Sequence, residues 1–222
     1  MNFLYRNIAN ITSILGVLPL AVLYLDNGYQ YLIPLILFNN VMDDLDGIFA
    51  TKLNIKSRFG ADLDNVCDAV SHIAITLAVG VHFGGLVLAM SAIASTAIIV
   101  RATSRLNPET PSGGSPTNEL MRHLLFILLL STLFDFNPEY VLILVLLLNT
   151  LSMSLPFKMT TMIRSQAKTA TLVVLVNIAL ILAWLLPVTT IFIATIFIAS
   201  YLYSFFVGGT LWLKAHYSQN KT

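Results

Sequence analysis

Aspartate residues are concentrated in one short stretch of this chain, Asp43–Asp68, which reads DDLDGIFATKLNIKSRFGADLDNVCD. Six of the 11 acidic residues in the whole sequence lie there, and apolar sequence flanks the stretch on both sides. A carboxylate inside a membrane segment costs about 2.5–3.5 kcal/mol or more, so several in two consecutive segments need a compensating positive charge. The stretch is therefore the strongest candidate for a functional site.

The spacing of these aspartates indicates which of them act together. Asp43 and Asp46 are three residues apart and share one helix face. Asp64 and Asp68 are four residues apart and share a face of the next helix. The segment 52–59 contains lysine and serine and lets the chain turn back, which makes the two helices antiparallel. Counted from that turn, Asp46 lies at a similar depth to Asp64. Asp43 likewise matches Asp68, so the four carboxylates converge about 6–14 Å inside the helix ends.

Small residues accompany these four aspartates, whereas Asp44 and Asp62 point elsewhere. Gly47 and Ala50 continue the stripe of the first helix and Gly60 begins that of the second, which leaves open space beside the carboxylates. Hard divalent cations bind oxygen ligands, and Mg²⁺ usually combines a few carboxylates with substrate phosphate. The pattern predicts a site for Mg²⁺ or Mn²⁺, with two ions, that holds a phosphate-bearing substrate. The alternative is a set of helix-end acids that face water.

The composition is that of an integral membrane protein. Of the 222 residues, 57% are hydrophobic and only 10% are charged, against about 25% charged residues in soluble domains. One polytopic domain over residues 1–222 is the simplest organisation. The net charge of +1 and the lack of a basic run argue against nucleic acid as a partner.

Apolar periodicity predicts an all-α fold with eight transmembrane helices, since each apolar stretch is close to the 20 or so residues that span a bilayer. The predicted segments are residues 7–26, 30–52, 60–82, 84–104, 118–135, 139–157, 167–186 and 188–213. In this layout all 12 basic residues fall at one membrane face. Because cytoplasmic loops are enriched in Lys and Arg, we expect a cell-membrane protein whose termini and aspartate site are cytoplasmic.

Arginines and a loop near this face are candidates for anion binding. Four arginines are candidate contacts for a lipid or acceptor phosphate, namely Arg58, Arg101, Arg105 and Arg122. Arg101 and Arg105 could equally extend to the headgroups of the bilayer. The loop Asn107–Asn118 could bind an anion at the start of the fifth helix. The favoured alternative is an ordinary loop in which Ser115 or Thr117 caps that helix and Pro116 lies in its first turn.

The aspartate pattern resembles the signature of the CDP-alcohol phosphotransferases, D-x2-D-G-x2-A-R-x8-G-x3-D-x3-D. The matching residues here are Asp43, Asp46, Gly47, Ala50, Gly60, Asp64 and Asp68. The arginine of the signature is replaced by Thr51. The resemblance implies a six-helix core, about residues 7–186 with the catalytic motif at 43–68, and a homodimer. The eight predicted segments fit that core with two added helices at the C-terminal end. Asn10-x2-Ser13 in the first helix is also weakly similar to an Asn-x2-Thr of that family.

The resemblance further implies a chemistry and a set of residue roles. An alcohol attacks one phosphorus of a CDP-linked donor, CMP leaves and a phosphodiester forms. Asp43, Asp46 and Asp64 are the expected metal ligands, while Asp68 is the expected general base and a further metal contact. The expected contacts of the CDP moiety are Gly47, Ala50, Thr51 and Gly60.

The acceptor alcohol is suggested by a shorter resemblance. Residues 64–72 read DNVCDAVSH and are similar to the corresponding segment of phosphatidylserine synthases, with Asn65 in place of a serine and His72 in place of a phenylalanine. This favours L-serine as acceptor and CDP-diacylglycerol as donor. The alternatives are another acceptor, such as glycerol 3-phosphate, and, outside enzymes, a cation transporter. Transporters commonly contain inverted repeats and broken helices, which this sequence does not display.

Overall fold

The structure, a computed structural model, describes residues 3–107 and 113–219, and every regular element in these ranges is helical. The α-helices are α1 (Phe3–Val17), α2 (Leu32–Lys52), α3 (Arg58–Phe83), α4 (Gly85–Leu106), α5 (Thr117–Phe134), α6 (Glu139–Met153), α7 (Ile163–Gln166), α8 (Ala170–Leu185) and α9 (Pro187–Gln219). Two 3₁₀ segments, Leu18–Tyr24 and Gly28–Tyr31, connect α1 to α2.

The fold confirms an all-α membrane protein. Within the described residues, five helical segments are long and apolar enough to cross a membrane: Phe3–Tyr24, Arg58–Phe83, Gly85–Leu106, Thr117–Phe134 and Pro187–Tyr217. The helices α6 and α8 are apolar but shorter. Each predicted segment contains a helix, while the number of eight membrane spans stays a prediction. The helix α2 is long enough, but its three aspartates make it more polar than an ordinary span.

A tight turn joins α2 to α3 and sets the antiparallel pairing that the sequence predicts. Asn54 adopts a left-handed conformation with φ +53°, which asparagine tolerates better than most residues. Ser57 then caps α3 by accepting a hydrogen bond from the backbone N–H of Gly60 at 3.0 Å. The cap satisfies one of the free N–H groups at the start of the helix. The motif glycine therefore lies in the first turn of α3, beside the site.

The other helices pack around this hairpin. The helix α1 packs against both α2 and α3, and α8 packs against α2. The helix α5 passes through the centre, where Leu120, Leu124 and Leu125 are completely buried. The aspartate motif is thus enclosed by helices that are distant in sequence.

The start of α5 differs from the expected cap. Neither Ser115 nor Thr117 caps the helix, and Pro116 precedes it instead of lying in its first turn. The Ser115 hydroxyl hydrogen-bonds that of Ser152 at 2.8 Å, and the Thr117 hydroxyl bonds His72 Nδ1 at 2.8 Å. The predicted cap is therefore wrong, because tertiary contacts occupy both hydroxyl groups. Residues 108–112, which form most of the candidate anion-binding loop, lie outside the described residues.

Gly114 brings the end of that loop against the end of α6. Its φ is +73°, and a Cβ there would lie 2.6 Å from the carbonyl oxygens of Ser152 and Met153. Its N–H donates to the carbonyl of Phe157 at 2.7 Å. Only glycine fits both the left-handed backbone and this close approach. The contact fixes the entry to α5, the helix that carries Asn118 to the site.

Candidate metal centre

Three motif aspartates meet across the α2–α3 hairpin. One carboxylate oxygen from each of Asp43, Asp64 and Asp68 lies within 4.8 Å of the others. The carboxyl group of Asp43 is also within hydrogen-bonding reach of that of Asp68. The carboxyl groups of Asp46 and Asp64 are likewise within reach of each other. This confirms the depth pairing predicted by counting from the turn.

The donor set suits a hard divalent cation. Mg²⁺ binds oxygen at about 2.0–2.1 Å, so oxygens on opposite sides of one ion are separated by roughly 4 Å. The oxygens of Asp43, Asp64 and Asp68 lie close to that separation, and modest side-chain rotations would let them share an ion. Asp46, which is paired with Asp64, could extend the set towards a second ion.

The helix α1 forms one wall of this centre. Asp46 is 5% exposed, and its carboxylate accepts a hydrogen bond from the Ser13 hydroxyl. Asn10, one turn earlier, lies beside Gly60, where a Cβ would be 3.0 Å from the Asn10 side-chain oxygen. The weak Asn10-x2-Ser13 signal in the sequence thus corresponds to two residues at the site.

The amide of Asn118 reaches the centre from α5. Its Nδ2 donates to Asp43 Oδ2 at 2.8 Å, which orients the carboxylate towards the cluster. Sequence reasoning missed this residue because nothing local marks it. The helix α5 approaches α2 only through the packing of the whole bundle.

Asp44 points away from the centre, as predicted, and belongs to an ion pair. Arg164 Nε donates to Asp44 Oδ1 at 2.9 Å, and the guanidinium makes a second, shorter contact to the same oxygen. Asn177 of α8 donates to Asp44 Oδ2 at 2.6 Å. The ion pair provides a compensating positive charge for one buried carboxylate of α2, and the Asn177 bond holds α8 against that helix.

The predicted phosphate contact Arg122 lies in the interior, at 2% exposure. It bonds Glu119 at 2.6 Å and Asn40 at 3.1 Å. Asn40 in turn donates to the Asn177 side chain at 2.8 Å. A continuous polar network therefore runs from α5 through α2 to α8, and Arg122 is a member of it.

The other three arginines lie at the end of the bundle that carries the motif. Arg58 is exposed and forms a 3.8 Å ion pair with Asp62, the second aspartate predicted to point elsewhere. Arg105 is exposed and close enough to Asp64 for its charge to act on that carboxyl group. Arg101 is half-buried, and its Nε is buried without a hydrogen-bond partner among the described residues. Their predicted phosphate contacts stay predictions.

Two residues of the 64–72 segment prove to hold helices together. Asn65 is buried and donates to the Ala102 carbonyl of α4 at 2.9 Å. His72 is 1% exposed and bonds Thr117 of α5. Because His72 lies one turn from Asp68, this bond also limits the movement of the α3 face that carries the aspartates.

A cavity of about 310 Å³ opens between α1, α2 and α3 and is called here the α1-side cavity. Asp46 and Asp64 lie in its wall, together with Lys56 and Ser57 of the turn. All four predicted contacts of the CDP moiety also line it, namely Gly47, Ala50, Thr51 and Gly60. The small residues of the motif thus provide space next to the carboxylates.

A second cavity, of about 370 Å³, opens between α2, α3 and the start of α8 and is called here the α8-side cavity. Asp43, Asp46 and Asp64 lie in its wall, as does Gly47. Three cationic side chains also line it, namely Lys52, Arg164 and Lys168, together with a fourth carboxylate, that of Asp44. The aspartate centre therefore borders two cavities, and the second contains cationic as well as acidic side chains.

Comparison with known proteins does not place the chain in a family. Neither the protein-family models nor the curated proteins include a match to this chain. The motif in the sequence and the geometry of the centre are therefore the observations from which a function can be inferred.

Proposed function

We propose that the protein is a metal-dependent CDP-alcohol phosphotransferase that transfers a phosphatidyl group from CDP-diacylglycerol to an alcohol, with L-serine favoured. The observation that carries this proposal is the convergence of Asp43, Asp64 and Asp68 beside the cavity lined by the small residues of the motif. A site for a bare cation has no need of a glycine- and alanine-lined space next to the ligands.

The proposed metal ligands are Asp43, Asp46, Asp64 and Asp68. When bound there, a divalent cation would neutralise the pyrophosphate and stabilise the charge on departing CMP. Ser13 holds the Asp46 carboxylate from one side, and Asn118 holds that of Asp43 from another. These contacts orient the ligands before substrate arrives, which is the usual role of residues that surround metal ligands.

In the proposed reaction the alcohol oxygen attacks the phosphorus that carries the diacylglycerol group. The bond from that phosphorus to the CMP oxygen breaks, and the hydroxyl proton passes to a carboxylate. Asp68 is the proposed base, and it is 7% exposed and within hydrogen-bonding reach of Asp43. Asp43 in turn lines the α8-side cavity, which connects the Asp43–Asp68 pair to an alcohol in that space.

A transfer assay with the purified protein tests the proposal. The protein in detergent receives CDP-diacylglycerol and Mg²⁺ or Mn²⁺ with radiolabelled L-serine or glycerol 3-phosphate, and the lipid product and CMP are measured. We expect product with one acceptor and complete loss of activity on chelation of the metal. Asp62 lies outside the motif positions and is paired with Arg58, with its side chain 45% exposed. It offers a control, since Asp62→Asn should keep full activity. Full activity after chelation would exclude the metal role, and no product with any alcohol would exclude the proposed function.

A further inference from the structure

We propose that the α8-side cavity is the acceptor site and that Lys168, next to Arg164, binds an anionic group of the acceptor alcohol. This inference rests on the proposed function and specifies the chemical class of its second substrate.

The arrangement of the two cavities indicates which substrate each of them binds. Both reach the aspartate centre, since Asp46 and Asp64 line each of them, but one extends towards α1 and the other towards α8. In phosphoryl transfer the attacking and leaving oxygens are roughly in line across the phosphorus. Of the four predicted CDP contacts, Ala50 and Gly60 line the α1-side cavity alone, whereas Gly47 and Thr51 line both cavities. The α1-side cavity therefore suits CDP, and the attacking alcohol is assigned to the α8 side.

The charges of the α8-side cavity indicate the chemical class of the acceptor. Arg164 is held in place by Asp44, which neutralises much of its charge. Lys168 is exposed and forms no ion pair with any residue that the structure describes. Thr169 and Ala170, at the start of α8, also line the cavity, and the positive end of a helix favours an anion there. An acceptor that carries an anionic group is therefore favoured over a neutral one.

A carboxylate of the same cavity narrows the class further. Asp43 lines it at the aspartate centre, whereas Lys168 lines it from the segment before α8. An amino alcohol with a carboxylate matches both ends, because its ammonium group can lie near Asp43 while its carboxylate lies near Lys168. A phosphate-bearing alcohol matches the basic end alone. The shared chemistry is an anion at Lys168, and the choice between carboxylate and phosphate is left to experiment.

The test compares Lys168→Ala, Lys168→Arg and the control Lys158→Ala in the transfer assay. Lys158 is also exposed but lines neither cavity. Acceptors are offered in pairs with and without the anion: L-serine against ethanolamine, and glycerol 3-phosphate against glycerol. We expect the anionic member of one pair to be preferred. Lys168→Ala should raise the KM for that acceptor about tenfold, the scale of one charged hydrogen bond. The KM for CDP-diacylglycerol should be unchanged, and Lys168→Arg should retain most of the affinity.

The outcomes separate this inference from the proposed function. Equal use of ethanolamine and L-serine, together with equal use of glycerol and glycerol 3-phosphate, overturns the anionic acceptor. A Lys168→Ala variant with normal acceptor KM, or with a raised KM for the donor instead, overturns the role of Lys168. In each of these cases transfer still occurs and the proposed function survives. Absence of CMP release with every acceptor overturns the proposed function and this inference with it.

Discussion

At the scale of single residues, the four motif aspartates differ in their surroundings. Asp46 is held by a hydroxyl from α1, and Asp43 by an amide from α5. Asp68 is buried and lies within hydrogen-bonding reach of Asp43. Carboxylates with different neighbours can take different roles, so we expect their substitutions to have different consequences.

Asn substitutions should separate metal binding from proton transfer. Asp68→Asn keeps the size and an oxygen ligand but loses the basic carboxylate, so donor and metal should still bind while the rate falls about a hundredfold. Asp46→Asn should lose metal-dependent donor binding as well as rate, because the ion would bridge protein and pyrophosphate. Calorimetry of donor binding, run beside turnover assays, checks both. If Asp68→Asn abolishes binding as fully as Asp46→Asn does, Asp68 is a ligand first.

Ser13→Ala should weaken the metal centre without unfolding the protein. The substitution removes the hydroxyl that orients Asp46, and the loss of such a supporting contact typically lowers metal affinity about tenfold or more. The Mn²⁺ concentration that gives half-maximal activity should rise accordingly. Thr12→Ala is the matched control, since Thr12 is also buried in α1 but bonds the backbone carbonyl of Ile8. An equal shift in both variants would argue against a specific role for Ser13.

At the scale of elements, the α2–α3 hairpin carries the motif, and α1 and α8 enclose it from two sides. The glycines of the hairpin are not equivalent. A Cβ at Gly60 would be within 3.1 Å of its cap residue, Ser57, whereas one at Gly47 would meet nothing within 4 Å. The space beside Gly47 therefore belongs to the cavities and not to protein packing.

Gly47→Ala should reduce donor binding while it leaves stability unchanged or raised. Alanine in a helix interior is favoured over glycine by about 0.5–1 kcal/mol, but its methyl group would extend into the cavity next to Asp46. We expect a raised KM for CDP-diacylglycerol and a Tm at or above that of the unmodified protein. Gly209→Ala, in α9, is the control, because its Cβ would make only ordinary contacts, with the Phe157 ring from 3.4 Å. Unchanged donor KM in Gly47→Ala would show that substrate does not occupy this space.

The Asp44–Arg164 pair joins α2 to the segment before α8, and its loss should destabilise the protein. Arg164→Met leaves the buried Asp44 carboxylate without its cation, which costs about 3 kcal/mol. We expect a clearly lowered Tm, and partial recovery in the double variant Asp44→Asn/Arg164→Met, which removes the orphaned charge. Arg58→Met, in the exposed pair with Asp62, should change the Tm little. Additive losses in the double variant would show that the two side chains do not stabilise each other.

At the scale of the whole molecule, the described basic residues lie towards the ends of helices that meet at the aspartate centre. The helices α2 and α4 end there, and α3, α5 and α8 begin there. The opposite end of the bundle contains the α5–α6 turn with Asp135 and Glu139. The distribution of charge gives the bundle a basic end that carries the site, and we propose that this end faces the cytoplasm.

Cysteine labelling of intact cells should report this orientation. In a Cys67→Ala background, a cysteine at Ser57 in the α2–α3 turn should resist an impermeant reagent. A cysteine at Asn137, which is exposed at the opposite end, should react. Both should react after the cells are permeabilised. Ready labelling at position 57 in intact cells would show that the basic end faces the outside of the cell.

Much of the architecture could be predicted from the sequence because it depends on local patterns. Helices follow from apolar stretches of sufficient length, and the pairing of Asp43 with Asp68 follows from counting outwards from a turn. A hairpin between adjacent helices has a register set by a few residues, so no distant contact is needed. The same reasoning correctly separates Asp44 and Asp62 from the centre.

Only the tertiary structure decided which distant residues surround the aspartates. Asn118 and Arg164 lie 75 and 120 residues from the carboxylates that they bind. The spacing of residues along the chain does not indicate which helix faces will meet. The same limit explains the wrong cap at α5, since Ser115 and Thr117 have the right types for a cap. Their hydroxyls bond Ser152 and His72 instead, because packing of α5 against α3 and α6 brings these partners within reach. Local propensity selects residue types, but the three-dimensional packing of the bundle selects their partners.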